Sequence, residues 1–324
     1  MNAAEILAGI GRLRVLVAGD VCLDRWCRYA PALAEPSRET GIQRLAVVET
    51  EVTPGAAGTV ASNVAALGAA HVDVLGMVGD DGFGYELERA LGARGIGTSL
   101  LLRAPGTCTF TYTKLLNRET GEEDRPRVDF INSQPLAGEC ERELVGRMEA
   151  AAPAYDVILI SDQAETAHGG VVTAAMREAI RRVAAAQPQT VMSVDSRVRA
   201  EHFRGVTVKL NREEAEAASM RALGRVDFAA LRHHTQAPLL VVTHGAEGAE
   251  VVDERGSRWA PGMRIARPVD ICGAGDSFSA GAALTLRVTR DVMAAAAFGN
   301  LVASITIMKK GTGTASPEEV LARC

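Results

Sequence analysis

Short apolar segments with the length of buried strands alternate with helical patterns along most of the chain. The predicted strands are 15–18, 72–78, 157–160, 191–194, 206–210 and 239–243. The predicted helices between them are 57–67, 85–91, 139–151, 171–186, 212–218 and 228–233. Apolar strands must be covered on both faces, and parallel neighbours need a crossover, so the pattern predicts a doubly wound, mainly parallel α/β sheet flanked by helices. Ligands of such sheets bind beyond the carboxyl ends of the strands.

Two regions interrupt this alternation. Their β-rich stretches are 42–52, 107–116 and 127–131, with no helix between the latter two. Because such strands do not join a buried parallel sheet easily, we predict a single domain over 1–324 with a small β-sheet lid inserted at about 25–53 and 105–132. The lid would cover the site or mediate a homodimer. The alternative is an additional antiparallel edge of the main sheet.

Composition limits the class of protein. The chain has 324 residues, 47% of them hydrophobic, and a net charge of −5 without a basic stripe. This disfavours nucleic acid or an anionic membrane as a partner. The six cysteines are scattered and the first residues lack a signal-peptide pattern, so we expect reduced thiols and a cytoplasmic location. The apolar stretch 292–308 is shorter than the roughly 20 residues of a spanning helix and predicts a buried one.

The segment 270–276, Asp-Ile-Cys-Gly-Ala-Gly-Asp, precedes a helix of small residues. Its glycines allow the backbone N–H groups of residues 273 to 276 to converge on an anion at a helix N-terminus. The carboxylate of Asp276 would repel a phosphate, but it is suited to accept a proton from a hydroxyl that attacks one. The alternative is a tight turn in which Asp276 caps the helix.

Two common nucleotide-binding motifs are absent from the sequence. There is no Gly-Lys pair, which excludes a Walker loop. The pattern Gly-x-Gly-x-x-Gly is broken at Phe278, and Pro268 stands where the preceding strand would run, which disfavours a nicotinamide enzyme.

Polar residues near the N-terminus offer a site for a sugar. Asp20 and Asp24 follow the first predicted strand and can bind hydroxyl groups, although they can also cap a turn. The small residues from Pro54 to Gly58 allow a ligand to approach the backbone, although close helix packing would use the same residues.

Two later segments suit a phosphorylated ligand and its metal. Asn211 and Glu214 open a predicted helix and face the same side, where they can orient hydrated Mg²⁺. The alternative is a capping box. The segment Thr243 to Gly248 links two strands, and its glycines let a nucleotide lie on the backbone, but a plain hairpin turn explains it equally well.

Taken in order, these segments resemble the ribokinase-like (PfkB) carbohydrate kinase family from Arg14 to Pro317. The most specific match is Asp-x-x-Gly-Ala-Gly-Asp at 270–276. The resemblance implies an ATP-dependent sugar kinase in which Asp276 is the base and Gly273, Ala274 and Gly275 belong to the anion hole. It further implies sugar contacts from Asp24, Gly55, Ala56 and Thr59; nucleotide contacts from Asn211, Glu214, Thr243, Gly245, Gly248 and Asn300; Mg²⁺ held by Glu214 through water; and a monovalent cation, K⁺, near Asp270.

Within this family, segments 17–26, 161–162 and 310–312 are similar to kinases of D-glycero-D-manno-heptose 7-phosphate. Thr59 replaces a sugar-facing Asn of those kinases, and Glu165 replaces a Lys near the substrate phosphate. The charge reversal weakens phosphate binding. Lys114, Arg118 and Arg127 of the predicted lid are candidates to compensate.

The acceptor therefore stays open between a sugar phosphate and a non-phosphorylated sugar or nucleoside. A non-catalytic regulatory protein that binds a sugar or nucleotide is the alternative of another class. Cys272 stands where many members have Thr, and its position near a helix N-terminus predicts a lowered pKa and sensitivity to oxidation.

Overall fold

The computed structural model describes residues 1–164 and 170–324, and within them the strands form a nine-stranded large sheet and a four-stranded small sheet. In spatial order, the large sheet consists of β13 (Gly256–Pro261), β12 (Gly248–Asp253), β11 (Leu240–Thr243), β10 (Thr207–Asn211), β9 (Val191–Ser196), β8 (Val157–Asp162), β1 (Arg14–Gly19), β4 (His71–Gly79) and β5 (Leu101–Ala104). The small sheet consists of β3 (Val47–Ala56), β2 (Val21–Tyr29), β6 (Thr111–Asn117) and β7 (Val128–Phe130).

The large sheet is parallel from β11 to β5 and ends in the antiparallel hairpin of β12 and β13. At its centre, Val17 of β1 pairs with Leu159 of β8 and with Val74 of β4. Each of the six predicted strands is present, so the doubly wound, mainly parallel sheet is confirmed. A strand after Gly248 was implied by the predicted turn 243–248, whereas β13 and β5 were not predicted.

Helices cover both faces of this sheet. They are α1 (Ala3–Ile10), α2 (Ala57–Ala66), α3 (Gly82–Gly92), α4 (Gly138–Ala151), α5 (Ala174–Ala186), α6 (Arg212–Leu223), α7 (Phe228–His234), α8 (Ala274–Thr289), α9 (Val292–Thr306) and α10 (Pro317–Arg323). Alternate residues of β1 serve the two faces: Val15 and Val17 pack with α1, α2, α8 and α9, whereas Leu16 and Ala18 pack with α4, α5 and α6. Burial on both faces explains why these strands are apolar throughout.

The helix predicted over 292–308 is observed as the buried helix α9. Over the described ranges 1–164 and 170–324, no helix has the length and apolar character needed to cross a bilayer.

The small sheet is separate from the large one, so the alternative of an additional edge is wrong. Its strand β2 runs antiparallel to β3 and parallel to β6. For Asp24, the alternative of a residue that caps a turn is wrong, because β2 begins at Val21 and pairs with strands on both sides. Asp24 therefore lies within a strand, and Asp24, Trp26 and Arg28 share one face of it.

Candidate active site

The turn before α8 is fixed by the side chain of Asp270. Its Oδ1 accepts a hydrogen bond from the N–H of Cys272 at 2.9 Å, and its Oδ2 accepts one from the N–H of Gly311 at 3.0 Å. Gly273 then adopts φ +76°, and a Cβ at this residue would lie 3.3 Å from the methyl group of Thr59. The turn thus requires glycine both for its backbone conformation and for the room it leaves.

Asp276 lies in the first turn of α8 without capping it. The cap position is occupied by Gly273, and no side chain caps this helix end, so the N-cap alternative for Asp276 is wrong. Burial raises the pKa of Asp276 to about 7; the neighbouring Asp195 raises it as well, whereas Lys209 and Arg197 lower it. A carboxyl with a pKa near neutrality at a helix N-terminus is poised to exchange a proton.

Lys209 and Asp195 form an ion pair below the turn, and the sequence reasoning missed both. The Lys209 ammonium lies 2.6 Å from Oδ2 of Asp195. A Cβ at Gly275 would lie 2.9 Å from the Lys209 nitrogen, so the second glycine of the turn lets this cation approach the backbone. A signal existed in the sequence, because a lysine inside an apolar strand needs a buried partner.

Asp24 approaches this group from the small sheet. Burial raises the pKa of Asp24 to about 6, while Lys114 and Arg127 lower it. Asp24 in turn contributes to the raised pKa of Asp276, so the two carboxyl groups are close enough to interact. Gly55 makes this position possible, since a Cβ there would lie 2.6 Å from Oδ2 of Asp24.

The two cations beside Asp24 have acidic partners of their own. Lys114 lies 4.6 Å from the ring centroid of Trp26 and 3.6 Å from Oε2 of Glu123. Arg127 donates two hydrogen bonds to Asp129, at 2.8 and 2.7 Å. Their positive charge is therefore partly neutralised before any ligand binds. Arg118 is exposed just beyond β6.

The segment of small residues that leads into α2 contains a strained backbone conformation and an internal hydrogen bond. Ala56 adopts φ +51° and ψ −120°, and a positive φ is costly for a residue with a Cβ. The hydroxyl of the buried Thr59 donates to the carbonyl of Pro54 at 3.1 Å, so it is already used by the fold. Thr59 borders the glycine turn at Gly273, and contact of Ala56 and Thr59 with a sugar stays a prediction.

Asn211 and Glu214 form the capping box that was the structural alternative for this pair. The N–H of Glu214 donates to Oδ1 of Asn211 at 2.9 Å, and the N–H of Asn211 donates to Oε2 of Glu214 at 2.8 Å. Burial and the nearby Asp195 raise the pKa of Glu214. The cap thus holds the Glu214 carboxylate close to Asp195 and Lys209. Residues 1–164 and 170–324 contain no group of three or more metal-ligating side chains.

The predicted nucleotide turn is a hairpin connection between β11 and β12. A Cβ at Gly248 would lie 2.2 Å from the carbonyl oxygen of Ala260, so strand packing explains this glycine. Gly245, with φ +57°, faces open space, and the Thr243 hydroxyl donates to the carbonyl of Leu210 at 3.3 Å. Asn300 donates to the carbonyls of Ala260 and Pro261, both at 3.1 Å, which ties α9 to the same hairpin.

Two further predictions concern Cys272 and Glu165. The lowered pKa predicted for Cys272 is wrong: partial desolvation of the thiol and the carboxylates of Asp24 and Asp270 raise its pKa, which disfavours the reactive thiolate. Glu165 lies outside the described residues.

Asp20 is the other carboxylate predicted near the first strand, and its hydrogen bonds come from backbone N–H groups. It accepts hydrogen bonds from the N–H groups of Gln163, Ala164 and Val171 at 2.8, 2.8 and 2.7 Å. Burial raises the pKa of Asp20 to about 6, and Asp162 raises it further. Its role is to hold the end of β8 and the start of the following segment.

Comparison with known proteins shows the family to which the chain belongs. Residues 21–319 match the model of the pfkB family of carbohydrate kinases. Curated relatives named bifunctional protein HldE are 32% identical in Pelobacter propionicus and 31% identical in Geobacter metallireducens, over 99% of this chain in both. The chain spans 66% and 64% of the length of these relatives.

Solved structures share the fold at low identity. Ribokinase from Thermotoga maritima has a TM-score of 0.71 at 20% identity, covering 96% of this chain and 99% of its own. Arabidopsis thaliana ribokinase, complexed with ribose and ATP, has a TM-score of 0.70 at 16% identity, covering 96% and 98%. Escherichia coli phosphofructokinase-2, in complex with potassium, has a TM-score of 0.69 at 20% identity, covering 96% and 97%.

Proposed function

We propose that this chain, which belongs to the pfkB family of carbohydrate kinases, transfers the γ-phosphoryl group of ATP to a hydroxyl group of a sugar or sugar phosphate. The observation that carries the proposal is the carboxyl group of Asp276, with a pKa of about 7, in the first turn of α8 beside the glycine turn. A phosphotransferase with an alcohol acceptor needs a base near the attacking hydroxyl, and the raised pKa of Asp276 supports assigning this role to it.

Each part of the site has a defined task in this reaction. Asp24 orients the acceptor by accepting hydrogen bonds from its hydroxyl groups. Asp276 takes the proton of the attacking hydroxyl, a contribution of about 10²–10⁴ in rate. The N–H groups of the turn 273–276 stabilise negative charge on the transferred group, and Lys209 keeps a positive charge below that turn.

The donor side fits ATP and Mg²⁺ by its chemistry. Glu214 and Asp195 offer carboxylate oxygens, which Mg²⁺ prefers, next to the turn that receives the phosphoryl group. When bound, the metal neutralises phosphate charge. Thr243, Gly245 and Gly248 would line the nucleotide, with open space over Gly245. Asn300 would hold the hairpin that borders it.

A monovalent cation fits Asp270 less directly. Both oxygens of its carboxylate accept backbone N–H groups, so K⁺ would have to be held by neighbouring backbone carbonyls. Comparing activity in potassium and sodium salts at equal ionic strength tests this point.

The identity of the acceptor is the finer part of the proposal. Similarity to proteins named HldE, together with the heptose kinase-like segments 17–26 and 310–312, favours a heptose 7-phosphate or a related sugar phosphate. A free sugar or nucleoside is the second candidate, because a Burkholderia thailandensis nucleoside kinase in complex with inosine has the same fold, with a TM-score of 0.67. A homodimer through the small sheet and a cytoplasmic location remain predictions.

A coupled assay of ADP release across free sugars, sugar phosphates and nucleosides tests the function. We expect release with one class of acceptor, and the highest kcat/KM with sugar phosphates. If the protein binds ATP but releases no ADP with any acceptor, the alternative of a non-catalytic binding protein replaces this proposal.

A further inference from the structure

A cavity of about 330 Å³ lies between the small sheet and the segment 309–314, and no role assigned above uses it. Trp26, Arg28 and Thr53 line it from the small sheet, and Arg94 lines it from the end of α3. Lys310 stands in the segment that closes the other side. We call this space the basic cavity.

The basic cavity has an excess of positive charge. Four cations line it, against the one carboxylate of Glu51 among the described lining residues. Two of the cations have acidic partners: Arg28 lies 2.7 Å from Glu49, and Lys309 lies 2.7 Å from Glu319. Arg94 and Lys310, by contrast, form no ion pair within the described ranges. The cavity therefore offers two positive charges that a ligand can neutralise.

Arg94 is exposed, and a backbone carbonyl is the hydrogen-bond partner of its guanidinium group. One of its guanidinium nitrogens donates to the carbonyl of Ala90 at 2.7 Å, and desolvation lowers the pKa of the side chain. The remaining guanidinium N–H groups are available to a bound anion, which would accept charge-assisted hydrogen bonds from them. The hydroxyl oxygen of Thr53 is buried and has no hydrogen-bond partner in the described structure, so it is a further donor for the same anion.

The position of the basic cavity relates it to the acceptor. Asp24, Trp26 and Arg28 follow one another on the same face of β2, about 7 Å apart at each step. The segment 309–314 connects the basic cavity with the glycine turn before α8. A Cβ at Gly311 would lie 3.7 Å from Trp26 in the cavity, and Thr312 borders Gly273 in the turn. A sugar whose hydroxyl groups contact Asp24 would extend its far end along this face into the cavity.

We propose that the basic cavity binds the phosphate group that the acceptor already carries, with Arg94 and Lys310 as the residues that hold it. The acceptor is then a phosphorylated sugar rather than a free one. This inference rests on the proposed kinase function and deepens it. Arg94 offers a planar pair of N–H donors suited to phosphate, and Lys310 adds a mobile point charge.

The test uses Arg94→Gln and Lys310→Gln separately, with Arg255→Gln as the matched control. Arg255 is exposed in the turn between β12 and β13, at the far edge of the large sheet. The readout is the ratio of kcat/KM for a sugar phosphate to kcat/KM for the same sugar without phosphate. We expect each cavity variant to lower this ratio by about tenfold or more, mainly through the KM of the sugar phosphate, because each removes a charge-assisted hydrogen bond. Arg255→Gln should leave the ratio unchanged.

A second measurement does not depend on turnover. Inorganic phosphate is titrated calorimetrically into the protein saturated with Mg²⁺ and a non-hydrolysable ATP analogue, and it is tested as an inhibitor of the kinase. We expect binding that both cavity variants weaken, and inhibition that is competitive with the sugar phosphate. Arg94 and Lys310 are both exposed, so both variants should fold normally.

The outcomes separate this inference from the function on which it rests. An unchanged ratio in Lys310→Gln overturns the subsite while the kinase stands. Inhibition by phosphate that is not competitive with the acceptor also overturns it, because the cavity would then bind an effector. Absence of ADP release with every acceptor overturns the kinase, and the phosphate titration still decides whether the cavity binds an anion.

Discussion

Asp20, which is buried, and Asp276, which is half-buried, are carboxyl groups with raised pKa values, and they differ in what surrounds them. Asp20 accepts three backbone N–H groups, from Gln163, Ala164 and Val171. Asp276 receives no hydrogen bond from the described residues, and its surroundings are the charges of Asp195, Lys209 and Arg197. A carboxylate that the backbone satisfies is part of the architecture, whereas one that is desolvated and left without hydrogen bonds is available to a ligand.

The test with the largest expected effect on this contrast is the loss of turnover in the variant Asp276→Asn. We expect kcat to fall by about 10²–10⁴, because an amide cannot take the hydroxyl proton, while ATP binding is retained. Asp20→Asn is the matched control, since it makes the same chemical change at a carboxyl group that the backbone satisfies. The folded variant should keep kcat within about tenfold of the unmodified protein. The measurement is steady-state ADP release together with nucleotide titration. Near-normal turnover in Asp276→Asn would show that another group is the base.

The second test is the pH dependence of kcat/KM. The base acts in its deprotonated form and the pKa of Asp276 is about 7, so activity should rise with pH up to that value. Below it, each pH unit should cost about tenfold, which gives a loss of about a hundredfold at pH 5. A profile measured from pH 5 to 9 with a stability check at each point decides this. An activity that is flat from pH 5 to 8 contradicts the assignment.

The third test is the stability of Asp20→Asn. The amide cannot accept on both sides, so at least one of the three backbone N–H donors loses its partner. We expect the free energy of unfolding to fall by about 1–3 kcal/mol. Urea denaturation at pH 7 measures the change, with Asp276→Asn in parallel. If Asp20→Asn is as stable as the unmodified protein, its hydrogen bonds do not hold the fold.

The smallest effect is a gain in stability for Asp276→Asn. The pKa of Asp276 is raised in the folded state from 3.8 to about 7, so folding is opposed once the group must ionise, and the cost grows as pH rises from about 4 to above 7. Replacing the carboxyl should therefore stabilise the protein by about 1 kcal/mol at pH 8, and by less toward pH 4. Denaturation curves at both pH values test the sign. A variant that is less stable at pH 8 would place Asp276 with Asp20 among the structural carboxylates.

Much of the fold could be predicted from the sequence. The strands of the parallel sheet are apolar because both faces are covered, so their positions are visible without the structure, and helices such as α2 and α4 match their predicted ranges within about three residues. The short edge strands are less visible, because β5 has four residues and the hairpin β12–β13 alternates weakly.

Only part of the candidate site could be predicted from the sequence. The turn 270–276 is visible because its glycines and carboxylate are adjacent in the chain. The ion pair of Lys209 and Asp195 is not, because the two residues belong to different strands and meet only when β9 and β10 pair. Asp24 is predicted from the sequence to bind hydroxyl groups, but its place within β2 depends on pairing with β3 and β6.

By itself, the sequence determined the elements whose cause is local: the apolar strands, the helices between them and the glycine turn that opens α8. Only the tertiary structure decided which carboxylates are used by the backbone and which face the cleft. It also decided that Arg94 and Lys310, distant in the chain, share one cavity. The reason is physical: burial and the charge of neighbours set the pKa and the availability of a side chain, and both arise from residues that only folding brings together.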